Sequence, residues 1–235
     1  MNAYHKGFVG AKVEKIMYSG LWIAKKKYAV MKLWDEGTYY TIPALSVTGL
    51  ELVRSSTPEF AKKKFSEILH IMLLKNEKDL QNYMKNVKSE FTSVTKNIDT
   101  IKQVARISGV SSLGYKLNAD GKYVKEKNGK MLGAPINSRA AILHNKFVEE
   151  NKLEYKYDLI EEGNKINYVY IKTPNPIGNE NIFAFVDEKV LDDANLTKYI
   201  DIDTQYEKVI EQPIKILTET VGWEIKKTSS LGGLF

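Results

Sequence analysis

Three lysines followed by a tyrosine, Lys25-Lys26-Lys27-Tyr28, are the residues of this chain best suited to chemistry at a polyanion. Lysine is a compact point charge that suits a phosphate, and tyrosine offers a flat face and a hydroxyl. The stretch reads as strand, and in a strand residues two apart share a face. Lys26 and Tyr28 should therefore reach one groove or backbone together; the same spacing also arises by chance on edge strands. Arg54-Ser55-Ser56-Thr57-Pro58 offers a second anion site, with hydroxyls leading into a helix start whose N–H groups favour negative charge. Asp201-Ile202-Asp203 has the spacing of a two-carboxylate metal site, but it stands where a helix begins, and acids there cap and complement the dipole. Capping is the expectation. His5, His70 and His144 are scattered, and no Gly-rich nucleotide loop is present.

The elements that must position these residues follow from pattern. Residues 8–50 read as antiparallel strands: Tyr28–Trp34 is β-rich, Asp35-Glu36-Gly37 supplies a turn, Thr38–Ile42 returns, and Pro43 limits that strand or puts it at an edge. The character changes at Ser56. Ser56-Thr57-Pro58-Glu59 forms a helix start, and Ala61, Phe65, Ile68, Leu69 and Met72 recur at helical spacing. After Asn76-Glu77-Lys78, the stripe Leu80, Tyr83, Met84, Val87 and Phe91 marks a second amphipathic helix. Ser108–Asn137 is rich in Gly, Ser and Lys (Lys116, Lys122, Lys125, Lys127, Lys130) and reads either as a solvated loop or as a flexible basic surface near DNA. Arg139–Asn151 is helical by pattern, Ile166–Lys172 alternates as a strand, and Pro174–Gly178 breaks it. A last helix runs from about Thr204 to about Val221, interrupted at Pro213. The fold class expected is α+β.

Composition bounds the rest. The 235 residues suffice for one large domain or two small ones, and 43% hydrophobic content supports a core. Net charge is +6, and of 35 basic residues only Arg54, Arg106 and Arg139 are arginine. A Lys-rich excess suits non-specific grip on phosphate, or simply a basic protein. No cysteine means neither disulfides nor thiolate metal ligands. No run approaches the roughly 20 apolar residues that span a bilayer, and Met1–Lys6 lacks a signal-type apolar stretch. A cytoplasmic location, with no membrane partner, is the expectation.

The ordered set Lys-x-Tyr at 26 and 28, Gly49-Leu50-Glu51, then Ser55-Ser56-Thr57-Pro58 resembles the C-terminal part of T4-like family B DNA polymerases, where the palm ends and the thumb begins. Further along, Ala134–Arg139 stands where the family has a Cys-Pro-x-His-x-Arg-like segment: Pro135 and Arg139 fit, and cysteine and histidine are replaced. Gly133 sits where relatives can have lysine, with Lys130 as a substitute; Asn175-Pro176-Ile177-Gly178 echoes an Asn-Pro-Phe-Gly turn; and Tyr199–Pro213 resembles the last thumb helix, with Lys208 in place and Gln212 replacing a lysine.

The resemblance implies that Lys26 and Tyr28 hold the primer strand near its terminus. Lys25 and Lys27 would be backbone contacts, Arg54, Ser55, Ser56 and Thr57 would lie on primer phosphates, and Lys130, Arg139 and Lys208 would meet the duplex. It also implies palm remainder over 1–50, a mostly helical thumb with a small β element over 51–228, and a tail over 229–235 whose Leu231, Leu234 and Phe235 hook a sliding clamp; unaided, that tail reads equally as a frayed end. The family's catalytic Asp-Thr-Asp does not occur here. The resemblance then implies a split polymerase, active only with an N-terminal polypeptide carrying exonuclease, fingers and catalytic palm, with Mg2+ bound in that assembly. A free-standing duplex DNA-binding protein and a clamp adaptor are the alternatives.

Overall fold

A computed structural model describes residues 12–50, 52 and 54–225. The clamp-tail residues Leu231, Leu234 and Phe235 lie outside the described residues. The chain is α+β, with antiparallel sheets and helices in two compact units. The first unit gathers residues 1–54, 63–85 and 214–235, and the second holds 55–62 and 86–213.

The first unit holds a three-stranded meander, β1 (Lys15–Ala24), β2 (Lys27–Asp35) and β3 (Thr38–Thr48), in that spatial order. Its central strand buries Ala29, Val30 and Met31 consecutively, so both sheet faces are covered there. The turn at Glu36-Gly37 has positive φ at both positions, 44° and 99°, as a two-residue hairpin requires. Pro43 does not end β3. It sits in an edge strand beside a register shift between Lys32 and Trp34, where its missing N–H breaks no regular ladder.

Two long helices follow, α1 (Glu59–Leu74) and α2 (Glu77–Lys96). Most of the expected stripes are buried: Ala61, Phe65, Ile68 and Leu69, then Leu80, Met84, Val87 and Phe91, while Met72 is half-buried, as is Tyr83, which is hydrogen-bonded to Glu67. Pro58 supplies the first helical acceptor, bonding the Lys62 amide at 3.0 Å. Asn76 caps α2 by accepting from the Asp79 amide at 3.1 Å.

The second unit is built around a three-stranded sheet of β4 (Arg106–Gly109), β8 (Lys165–Tyr170) and β9 (Ile182–Phe185), in the order β4-β8-β9. Helix α3 (Ile136–Glu150) lies on β9, with Phe147 and His144 against the Phe183 ring at 6.0 and 5.8 Å. Ser108–Asn137, read from sequence as loop or flexible surface, holds several short strands separated by turns and irregular chain. Beyond β4, a separate sheet forms from β5 (Lys116–Leu117), β6 (Tyr123–Lys127) and β7 (Lys130–Gly133). Its lysines point to both faces and leave no apolar alternation to read. After the short helix α4 (Val190–Asp193), the last helical segment runs α5 (Ile202–Tyr206), a π turn over Glu207–Glu211 and α6 (Gln212–Thr220). The interruption expected at Pro213 thus takes the form of a π turn just before it. No described helix is long and apolar enough to cross a membrane.

Candidate nucleic-acid interface

Lys25 and Lys26 are not on a strand. They are the two central residues of the β1–β2 hairpin turn, between the paired residues Ala24 and Lys27, and Lys26 adopts φ +61°. The same-face argument for Lys26 and Tyr28 therefore fails: only Lys27 and Tyr28 lie in β2, and they point to opposite faces. The turn achieves the same concentration by another route. All three lysines are exposed at one hairpin tip, and Tyr28 stands half-buried on the strand that leaves it.

Gly49 explains why the two halves of this region, 23 residues apart, belong together. It follows β3, sits at φ +67°, and lies against the hairpin turn. A Cβ on it would come within 2.0 Å of the Lys26 carbonyl oxygen. Only glycine tolerates both the left-handed backbone and this approach. Leu50 beside it is buried, which anchors the contact.

Trp22, which sequence reasoning missed, is the register partner of Tyr28 and so shares its face. Its indole lies across Gly20, where a Cβ would meet the ring at 2.2 Å, and it is 58% exposed. The readable signal was Gly20-x-Trp22 ahead of a tight turn.

Ser55 and Ser56 are exposed and Thr57 half-buried, directly before the positive end of α1. Arg54, also exposed, precedes them. Lys130, Arg139 and Lys208 all belong to the second unit but stand on different elements. Lys130 is exposed at the start of β7. Arg139, in the first turn of α3, is engaged: its Nη2 donates to Asn181 at 2.7 Å and its Nε stands 3.7 Å from Glu180. That links the Ala134–Arg139 segment to the Asn175–Gly178 turn, where Asn175 donates to the carbonyls of Lys172 and Glu180 and accepts from the Ile177 amide.

Lys208 is placed by a residue the sequence did not flag. In the π turn the Gln212 amide bonds the Glu207 carbonyl, and Pro213 has no N–H to offer. The Lys208 carbonyl would be orphaned, but the Arg106 guanidinium donates to it at 3.0 Å. Tyr168 and Tyr170 sit beside that guanidinium; burial pushes both phenols up, and Arg106 counters part of the rise. The Lys208 ammonium lies 3.4 Å from Glu207.

Asp201 and Asp203 have structural work. Asp201 caps α5, accepting from the Thr204 amide at 3.0 Å and from its hydroxyl at 2.7 Å, and Asp203 pairs with Lys88 at 3.1 Å. Among the described residues no three acidic, histidine or cysteine side chains converge as a metal site.

The lysine-tipped hairpin locked by glycine and the hydroxyl-rich helix start are the two features of the chain best suited to a phosphate backbone. The model of DNA polymerase family B matches residues 4–220, and the chain belongs to that family. It is 23% identical over 222 residues to the DNA-directed DNA polymerase of Enterobacteria phage T4 and 27% identical over 221 residues to that of Escherichia phage RB69. Each comparison covers 92% of this chain and 22% of the relative, so the chain spans about a fifth of the length of those polymerases.

Proposed function

We propose that this chain is the palm-end and thumb portion of a phage-type family B replicative polymerase, gripping primer–template duplex while carboxylates on a separate polypeptide do the chemistry. The observation that carries the reading is the Lys25–Tyr28 hairpin held by Gly49, in a family B chain spanning about a fifth of its relatives' length. In this reading Lys26 and Tyr28 hold the primer near its terminus, Lys25, Lys27, Arg54, Ser55, Ser56 and Thr57 lie on its phosphates, and Lys130, Arg139 and Lys208 meet the duplex. Arg139 would have to share its guanidinium with Glu180 and Asn181. The work is positional: a 1 Å misplacement of the primer hydroxyl costs about 100-fold in rate. Mg2+ would belong to the partner's site.

A catalytic partner is favoured over a free-standing DNA binder by the first unit's apolar surface. Ile16, Tyr18 and Trp22 on β1 are 49%, 64% and 58% exposed, and Tyr39 and Ile42 on β3 are 70% and 82% exposed. Among the described residues β1 and β3 are both edge strands. Such a surface calls for a covering chain. Leu231, Leu234 and Phe235 would hook a sliding clamp, and the host cytoplasm is the proposed site of action.

Primer extension by the assembled enzyme tests the reading. Lys26→Ala or Tyr28→Ala should reduce extension at least about tenfold with an unchanged urea midpoint. Deleting residues 231–235 should spare distributive synthesis but remove stimulation by a clamp. Wild-type extension by both point variants would overturn the primer role, and retained stimulation would overturn the hook.

A further inference from the structure

Strands β6 and β7 are joined by Asn128-Gly129, with φ 52° and 72°. Positive φ at both positions is the two-residue turn that matches strand twist, so the hairpin tip is a rigid device. Lys127 and Lys130 are register partners flanking that turn. Direct partners across antiparallel strands share a face, with Cβ atoms about 5 Å apart, and like charges so placed destabilise the hairpin. Both side chains are exposed, and neither pairs with a carboxylate among the described residues. The hairpin's one acid, Glu126, is register partner to Met131 and faces the opposite way. Lys125, two residues from Lys127 and on the same face, is occupied otherwise: its ammonium donates to Ser112 at 3.0 Å and stands 4.5 Å from the Tyr115 ring centroid.

An enforced lysine pair on a rigid tip is a poor choice for stability and a good one for an anion that bridges two ammonium groups. A phosphate between them turns the repulsion into two charge-assisted hydrogen bonds. The arrangement reads no base, because lysine lacks the fork that distinguishes guanine and the pair presents no planar amide. We propose that the Lys127–Lys130 tip is a phosphate clamp on duplex DNA, with Lys127 a contact residue equal in weight to Lys130. This rests on the duplex-gripping reading above, and it gives the second unit a sequence-independent contact of its own.

The test is fluorescence anisotropy of a labelled primer–template duplex titrated with the whole chain at several salt concentrations, together with urea unfolding of the free protein. Because the pair shares one phosphate, Lys127→Gln and Lys130→Gln should each flatten the salt slope of log affinity, and the double variant should flatten it by about 0.9. Each single variant should raise the urea midpoint of the free protein, because half of the repulsive pair is gone. Lys146→Gln, which removes an exposed lysine already 3.9 Å from Glu150, should leave the slope unchanged. Unchanged slopes in the Lys127 and Lys130 variants would overturn the clamp, as would a slope loss of equal size in the Lys146 variant or a lowered midpoint. If those slopes stay at the wild-type value while Lys26→Ala weakens binding, the clamp alone falls. If the wild-type chain shows no salt-dependent binding, the clamp falls together with the duplex-gripping reading.

Discussion

At φ +61° the Lys26 backbone occupies a region that costs a side-chain-bearing residue about 1–2 kcal/mol. The charge is therefore held at the hairpin tip against local preference, with the buried Leu50 beside Gly49 helping to fix it. His144 shows the same kind of constraint in the second unit. It is 1% exposed, with Nδ1 3.0 Å from the Ala184 carbonyl oxygen and Nε2 3.2 Å from that of Asp158. Burial lowers its pKa below the ordinary 6.5, and the two carbonyls oppose that shift without cancelling it. A depressed pKa means that the unfolded chain takes up this proton first as pH falls. The neutral imidazole thus contributes stability that is complete above 6.5 and is lost as pH falls from 6.5 to the lower folded value. An NMR titration should place the His144 midpoint below 6.5, and urea midpoints should fall between about pH 7.5 and 5.5, less so in His144→Gln. An NMR midpoint above 6.5 would mean that the carbonyl pair holds an imidazolium and would reverse the sign.

Elements carry the charges to their places, and here glycine and proline decide most. Gly49→Ala should destabilise the protein by at least about 1–2 kcal/mol from its φ of +67° alone. The 2.0 Å approach to the Lys26 carbonyl should also displace the hairpin tip, lowering extension as Lys26→Ala does. A variant with the wild-type urea midpoint and wild-type extension would contradict the proposed coupling of the two segments. The helices were legible because Ala61–Leu69 and Leu80–Phe91 keep a 3.6-residue apolar period with a proline or asparagine at the start. The Asp201 cap was legible for the same reason. The Lys25-Lys26 turn was not, because neither residue signals a turn and the glycine that makes room for it lies 23 positions later. Nor was the β5–β7 sheet, whose strands put lysine where an apolar residue would announce a face. The π turn was half-legible: Pro213 forecast the interruption, and the Arg106 hydrogen bond that makes it tolerable depends on a contact across 102 positions.

For the whole molecule, the net charge of +6 and the apolar surface on β1 and β3 point to different partners. A polyanion suits the first, and a protein suits the second. The proposed reading, in which the chain grips duplex DNA and completes a larger enzyme, would account for both, and membership of DNA polymerase family B over residues 4–220 supports it. The most direct test is primer extension with this chain and a polypeptide from the same source bearing exonuclease, fingers and catalytic palm, each alone and then mixed. The account predicts synthesis in the mixture and none from this chain alone. Synthesis by the partner alone at the full rate, or none from a mixture in which the two chains demonstrably bind, would contradict it.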